Sequence, residues 1–254
     1  DREQVAKGFS HTLRTGEDWE FECRVLRADG QTRWIWGRGR VYRDTHGEPI
    51  RLLGAMLDIT PRVEAEAERV SLLQQTTKAA LKQRMFLRDV LFSVSEGRLR
   101  LCDSADDLPE RLIPAGDPMT LDEVSLAAFR QWGQEVAAAN GFPSERIQDL
   151  TTAVGEASMN AVVHAGGGTG QVYTGDKQTV QVWVEDTGCG IAENALHRAT
   201  LERGFTTAGS MGHGFWMMLK TADRVWLLTG AEGTTVVIEQ DRAEPEPAWL
   251  KGIV

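Results

Sequence analysis

The chain has 254 residues, 41% of them hydrophobic, and a formal net charge of -9. This length allows one large domain or two ordinary ones. The negative charge argues against a general nucleic-acid binder or an anionic-membrane binder, and no apolar run approaches the roughly 18 residues of a membrane helix.

The termini and the cysteines indicate where the protein acts. No signal peptide is visible, and because the first residue is Asp rather than Met we expect a fragment or a processed chain. The cysteines are three in number, far apart and without a metal-binding spacing, which is typical of a reducing compartment. We therefore expect a cytoplasmic protein that binds neither nucleic acid nor membrane.

Residues 1–60 predict a short helix followed by antiparallel strands. Asp29-Gly30 and His46-Gly47 separate alternating segments, which is the pattern of two hairpin turns. The ADG turn, the strand RWIWGRGRV and the segment GEPIRLLGAMLDIT resemble the C-terminal half of a PAS sensor domain. The other half, which supplies much of a PAS ligand pocket, is not visible, so the resemblance identifies no signal. A generic three-stranded sheet is the alternative.

The pattern of residues 61–95 predicts one long helix with an imperfect heptad repeat. Pro61 suits a first helical turn. We expect a signalling helix that pairs two copies of the chain in a parallel coiled coil, and a helix packed on its own domain is the alternative. The seam positions recur every three or four residues: Val63, Ala67, Val70, Leu73, Thr77, Ala80, Arg84, Leu87, Leu91 and Val94.

Residues 96–241 predict one α/β domain, and residues 242–254 an acidic, proline-rich tail. Thr120 and Glu123 have the spacing of a capping box, so we expect a helix to begin there and to end near Asn140-Gly141. A second helix opens at Ser144. Strands QVYT and TVQVWVED follow, joined by a hairpin, then a helix from Gly214 and the strands RVWLL and TTVVIEQ.

Polar groups recur every four residues on the second of these helices. Glu156, Asn160 and His164 form a stripe about 100° from an apolar stripe, because each residue of a helix advances by about 100°. Such a stripe could border a cleft, and a solvated polar face is the alternative. The apolar stripe consists of Ile147, Leu150, Val154, Ala157, Ala161 and Ala165.

Two glycine-containing segments follow. In VEDTGCGI, residues 184–191, a strand ends at Asp186 and breaks at Gly188 and Gly190, which allows the backbone to approach a ligand closely. A tight turn capped by the aspartate is the alternative. In GSMGHGFWMMLK, residues 209–220, three glycines precede an apolar helix, whose first N–H groups could bind an anion: Gly209, Gly212 and Gly214.

Together, in this order, the three segments resemble the N, G1 and G2 boxes of the GHKL ATP-binding superfamily. DLTTAVGEASMNAVVHA is most similar to the anti-sigma serine kinase branch, the RsbW and SpoIIAB type. The resemblance implies an α+β fold. A partial PAS antiparallel sheet, a long helical linker and a GHKL (Bergerat) two-layer α/β sandwich would follow one another.

The resemblance also implies roles for the residues that match its motifs. Glu156 would be the general base, and Asn160 would coordinate a Mg²⁺ ion that bridges the phosphates of ATP. Asp186 would bind the adenine amine, Thr234 would support it, and His164 would lie near the phosphates. The glycines would shape the path of the chain around the nucleotide: Gly188 and Gly190 beside it, and Gly209, Gly212 and Gly214 in a lid over the phosphates.

These features favour a PAS-regulated protein serine/threonine kinase of the anti-sigma type. Its partner would be an anti-anti-sigma (STAS) protein that it phosphorylates or a sigma-like regulator that it sequesters. No histidine occurs between Gly47 and Val163, where a sensor histidine kinase normally carries its phosphoacceptor. Two alternatives stay open: a histidine-kinase-like protein whose acceptor lies elsewhere, and a non-catalytic, ATP-dependent binding switch.

Overall fold

A computed structural model describes residues 1–176, 178–201 and 214–245 of the chain. The chain folds into two compact units, residues 1–82 and 83–254. The boundary falls inside the long helix, so the division into four segments expected from sequence stays a prediction. Within the described ranges, no helix is both long and apolar enough to cross a membrane.

The first unit is a helix and a three-stranded antiparallel sheet in the order β1-β2-β3. Both hairpin turns occur where the sequence predicts them, with Gly30 and Gly47 in left-handed conformations of φ 83°. Cys23 and Val41 are buried in this sheet, whereas β3 is exposed along its whole length. The elements are α1 (Arg2–Thr15), β1 (Trp19–Leu26), β2 (Thr32–Arg43) and β3 (Pro49–Asp58).

A single continuous helix, α2 (Thr60–Val94), follows the sheet. Asp58 Oδ1 accepts the backbone N–H of Thr60 at 2.9 Å, which starts the helix directly after β3. Near the other end, Leu91 is fully buried in the second unit. The predicted helix is therefore confirmed. Val70 and Leu73 are exposed in the described structure, and the pairing of this helix with a second copy stays a prediction.

The second unit contains a seven-stranded sheet. Five strands lie in the order β4-β9-β10-β8-β7. Two short strands, β5 and β6, pair with different stretches of the outer edge of β7. Only the β4–β9 pair of this described sheet is parallel. The strands are β4 (Leu99–Cys102), β5 (Ile113–Pro114), β6 (Met119–Leu121), β7 (Gly168–Gly175), β8 (Thr179–Asp186), β9 (Arg224–Gly230) and β10 (Gly233–Asp241).

One face of this sheet carries the helical layer. Phe129, Leu150 and Val154 from the helices are fully buried in one cluster with Val172 and Val182 from the strands. The two-layer α/β architecture expected from sequence is therefore confirmed. The helices of the second unit are α3 (Leu126–Ala139), α4 (Ser144–Ala165), α5 (Leu196–Leu201) and α6 (Gly214–Thr221).

The capping box predicted at Thr120 is wrong. Thr120 lies in β6, where it pairs with Thr169 of β7, and α3 begins only at Leu126. Between them, Asp122 Oδ1 accepts the backbone N–H of Ser125 at 2.8 Å. The spacing of Thr120 and Glu123 is only a local signal. Pairing with β7 overrides it because the pairing provides hydrogen-bond partners for backbone N–H and C=O groups that a helix cap would leave without them.

Candidate functional site

Helix α4 places the predicted polar stripe beside the core. Leu150, Val154, Ala157 and Ala161 are buried against the sheet. Glu156 and Asn160 are half-buried and His164 is exposed on the neighbouring face. The helix ends because Gly166 adopts a left-handed conformation, φ 75°, and its N–H donates to Val162 O at 3.0 Å.

The N-terminus of α6 lies against this stripe. A Cβ atom built on Gly214 would stand 2.9 Å from Glu156 Oε2 and 3.3 Å from Asn160 Oδ1. A side chain at position 214 would require the end of the Glu156 side chain to move. The N-terminus of α6, where the first N–H groups have no partner within the helix, therefore lies next to Glu156 and Asn160. Gly209 and Gly212, predicted to belong to the same segment, lie outside the described residues.

The polar atoms of Glu156, Asn160 and His164 have no partner among the residues that the structure describes. Within the described ranges, none of the three side chains has a hydrogen bond or ion pair. Half-buried polar groups in folded proteins normally have a partner, so Glu156 and Asn160 are available to a ligand. No group of three or more His, Cys, Asp or Glu side chains in the described structure could hold a metal ion by itself.

Asp186 ends β8 with one carboxylate oxygen occupied and the other open. Its Oδ1 accepts the backbone N–H of Gly188 at 2.9 Å and that of Thr234 at 3.1 Å. Thr234 is the residue opposite Asp186 in the pairing of β10 with β8. Two backbone donors on one oxygen hold the carboxylate plane, while Oδ2 accepts no hydrogen bond from the described residues. A fixed carboxylate with a free oxygen can accept an amine N–H.

The turn after Asp186 meets the C-terminal end of α4. A Cβ atom on Gly188 would stand 2.7 Å from Cβ of Ala165. Ala165 is the last residue of α4 and follows His164 directly. The predicted site residues are therefore assembled along one helix: Glu156 and Asn160 beside α6, and the Asp186 turn at the helix end, roughly 13 Å further along its axis.

Gly190 supports this turn from the opposite side. It is left-handed, φ 65°, and a Cβ atom there would stand 2.2 Å from the carbonyl oxygen of Gly230. The next residue, Ile191, donates its N–H to Thr229 Oγ1 at 2.8 Å. The hydroxyls of Thr229 and Thr234 are 3.0 Å apart. A chain of contacts therefore connects the glycine turn to Thr234.

Thr229 and Gly230 were not identified from the sequence. Thr229 pairs with Thr234 across the β9–β10 hairpin, so the register of that hairpin could have identified it. The approach of Gly190 to Gly230 has no local sequence signal, because it joins residues 40 positions apart in the chain. Thr229 contacts Thr234, and Gly230 contacts the turn that follows Asp186, so both residues act on the site through these neighbours.

Comparisons with known proteins match two families to this chain. Residues 119–239 match the family described as "Histidine kinase-like ATPase domain". Residues 1–56 match the family described as "PAS fold". The serine/threonine-protein kinase RsbT of Bacillus subtilis (strain 168) is 32% identical over 120 residues, which are 46% of this chain and 88% of RsbT.

Two solved structures are similar over different lengths. A sensory box histidine kinase/response regulator from Burkholderia thailandensis E264 is 33% identical, with 30% of this chain and 60% of that chain covered and a TM-score of 0.27. The blue-light activated histidine kinase EL346 of Erythrobacter litoralis is 18% identical, with 94% of this chain and 80% of that chain covered and a TM-score of 0.30. The family match and the identity across most of RsbT show that the chain belongs to the histidine kinase-like (GHKL) ATPase superfamily, with part of a PAS fold at its N-terminus.

Proposed function

We propose that the chain is a Mg²⁺- and ATP-dependent protein kinase that transfers the γ-phosphoryl group to a serine or threonine of a partner protein. The observation that carries the proposal is the pair of half-buried groups Glu156 and Asn160, which make no hydrogen bond with the described residues and lie against the N-terminus of α6. Helix N-termini attract anions through their free N–H groups and the helix dipole. A triphosphate would bring negative charge to this end of the site.

The Asp186 end of the site suits a purine base. Asp186 Oδ2 is open to the exocyclic amine of adenine, and Oδ1 is held by the N–H groups of Gly188 and Thr234. Roughly 13 Å of α4 separates Ala165 beside this turn from Glu156, enough to place a base and phosphates at opposite ends. The predicted lid glycines Gly209 and Gly212 would complete the phosphate side, whereas His164, which directly precedes Ala165, lies at the base end of α4.

The residues on the phosphate side fit a magnesium site. Mg²⁺ prefers oxygen ligands, keeps several waters and is commonly held by one or two protein groups together with substrate phosphates. The Oδ1 of Asn160, which has no hydrogen bond within the described residues, would serve as such a ligand together with the phosphates of ATP. When bound, the ion neutralises phosphate charge.

Glu156 would act as the general base. Its carboxylate is positioned beside α6 and is free of ion pairs in the described residues, so it can take the proton of an incoming hydroxyl. The hydroxyl oxygen then forms a bond to the γ-phosphorus, and the bond from that phosphorus to the β–γ bridging oxygen breaks to release ADP. Positioning and charge neutralisation contribute most of the catalysis in such transfers.

Serine/threonine specificity and the partner are inferred from the relative and the sequence. RsbT is named a serine/threonine-protein kinase, and no histidine lies between Gly47 and Val163 of this chain. We propose a STAS-type or sigma-like regulator as the partner and a homodimer formed through residues 61–95. The dimer would hold two catalytic domains together under control of the PAS part.

Labelled ATP tests the proposal directly. The protein is incubated with [γ-³²P]ATP, Mg²⁺ and a purified STAS-domain protein, and the label is tested for acid stability. Acid-stable label on serine or threonine of the partner is the expected result. Acid-labile label on the protein itself would favour the histidine-kinase alternative, and tight binding without any transfer would favour the binding switch.

Substitutions separate chemistry from binding. Glu156→Gln should keep MgATP affinity within about twofold and lower transfer by about 100-fold or more, as loss of a general base does. Asn160→Ala should weaken MgATP binding itself. Glu145→Gln is the matched control, because Glu145 is an exposed carboxylate in the first turn of the same helix. Equal transfer by Glu156→Gln and Glu145→Gln would refute the base.

A further inference from the structure

Arg98 occupies a rigid turn between the end of α2 and β4. Its N–H donates to Ser95 O at 3.1 Å, and its carbonyl oxygen accepts the N–H of Val225 at 2.8 Å. The neighbouring N–H, that of Leu99, donates to Ser95 Oγ at 2.9 Å. Because the backbone is bonded on both sides, the origin of the Arg98 side chain is fixed relative to β9.

The guanidinium of Arg98 reaches the C-terminal end of α6. Its Nη1 donates to the carbonyl oxygens of Leu219 at 3.1 Å and Lys220 at 3.3 Å. The last four carbonyls of a helix have no partner within the helix, and a cation there also interacts favourably with the helix dipole. No carboxylate lies within ion-pair distance of Arg98 in the described structure. The charge of Arg98 therefore acts on α6.

Helix α6 has eight residues, so both ends lie close to its centre. Helices this short are marginal without tertiary contacts. Phe215 and Met218 anchor its buried face. Its axial position is limited at one end by Arg98 and at the other by the contact of Gly214 with Glu156 and Asn160.

We infer that Arg98 is a positioning residue of the nucleotide site. By bonding the last carbonyls of α6, it holds the N-terminus of that helix at the distance from Glu156 and Asn160 where the N–H groups reach nucleotide phosphates. The inference rests on the proposed ATP site and adds a residue that no motif of the sequence indicated. Arg98 itself touches neither Glu156 nor Asn160, so its effect passes through α6.

Comparing a nucleotide with its nucleoside tests this role. Kd values for MgATP and for adenosine are measured by calorimetry with the full chain. Arg98→Ala should weaken MgATP binding about tenfold and leave adenosine binding within about twofold, because only the phosphates meet α6. Arg98→Lys should restore most of the MgATP affinity, since an ammonium can still donate to the carbonyls. A purely structural role would weaken both ligands alike.

Arg100→Ala is the matched control. Arg100 lies in β4, two residues on, and its guanidinium is 5.0 Å from the centroid of the Trp226 ring rather than at α6. The variant should bind MgATP like the parent. If Arg98→Ala and Arg100→Ala bind alike, or if Arg98→Ala lowers both affinities equally, the inference on Arg98 is overturned while the ATP site stands.

Amide hydrogen exchange provides a readout without nucleotide. Arg98→Ala should speed exchange in residues 214–221 and leave residues 144–165 unchanged, and unchanged exchange in both segments would overturn the positioning role. A parent protein that binds no MgATP would instead refute the proposed function, and the inference with it. MgATP binding by the parent protein therefore distinguishes a failure of the proposed function from a failure of the positioning role alone.

Discussion

Asp186 is held in one orientation by backbone donors, which suits the adenine contact proposed for it. Two backbone N–H groups, from the turn that follows it and from the strand beside it, converge on one oxygen and leave the other free. Thr234 adds its hydroxyl, held by Thr229 at 3.0 Å. A carboxylate oriented before the ligand arrives loses less entropy on binding, which is the basis of preorganised sites.

The thiols provide a residue-level prediction. Burial raises the pKa of Cys102 to about 11, whereas Cys189 is exposed between Gly188 and Gly190 in the turn after Asp186. Because the thiolate is the reactive form, Cys189 should react with an aromatic disulfide reagent at pH 8 about 100-fold faster than Cys102. Cysteine-specific mass spectrometry measures both rates.

Nucleotide should change only one of these rates. MgATP bound as proposed would cover the turn at Cys189 and slow its labelling, while the labelling of Cys102 stays the same. Cys189→Ser should lose the fast phase entirely. A fast phase that survives in Cys189→Ser, or that is insensitive to saturating MgATP, would contradict the placement of the nucleotide at this turn.

At the scale of the elements, a buried charge network connects α4 to the strands. Arg146, in the first turns of α4, donates to the carboxylate of Asp223 and to the carbonyl oxygen of Asp241. Burial raises the pKa of Asp223, against the opposing effect of Arg146. The network fixes the start of the helix that carries Glu156 and Asn160, so its contribution is to stability and to the alignment of α4.

Removal of Arg146 should be costly and pH-dependent. Arg146→Met leaves a buried, unpaired carboxylate, so the free energy of unfolding should fall by about 3 kcal/mol. The pKa of Asp223 is already raised in the folded state, and the substitution should raise it further. The folded state then binds more protons than the unfolded state. The free energy of unfolding therefore falls as the pH rises above the pKa that Asp223 has in the unfolded chain.

Urea denaturation at pH 5 and pH 8 measures this effect. The loss of stability in Arg146→Met relative to the parent should be larger at pH 8 than at pH 5. Arg146→Met combined with Asp223→Asn should recover part of the loss and remove the added pH dependence. An equal loss at the two pH values would show that the charge of Asp223 is not the cause.

At the scale of the whole molecule, α2 runs from the first compact unit into the second. Its middle exposes apolar residues, with Leu73 58% and Val70 43% accessible in the single chain. Val70 and Leu73 belong to the predicted seam of a coiled coil. Exposed apolar residues at heptad spacing along a long helix are typical of a helix–helix interface.

Two neighbouring leucines test the proposed dimer. Leu73→Asp places a charge in the seam and should raise the dimer dissociation constant about 100-fold, because a charge at a core position is buried without a partner. Leu72→Asp is the matched control, since Leu72 is 56% accessible but lies outside the seam. Light scattering coupled to gel filtration measures the mass. Loss of the dimer in both variants, or in neither, would contradict this seam.

Much of the architecture follows from the sequence alone. The hairpin turns at Gly30 and Gly47, the extent of α4 and the start of α6 at Gly214 were all predicted, because periodicity and turn chemistry act within a few residues. The three motif segments were recognisable for the same reason: each is short and contiguous. Their assignment as one site still depended on a family resemblance rather than on spacing.

Only the tertiary structure decided how these segments meet. Strand pairing with β7 converted the predicted cap at Thr120 into β6. The contact of Gly214 with Glu156, the approach of Gly190 to Gly230 and the bonds from Arg98 to α6 join residues that are 40 or more positions apart. Local sequence patterns contain no information on such distances, since they are set by the register of the sheet and the packing of α4 and α6 upon it.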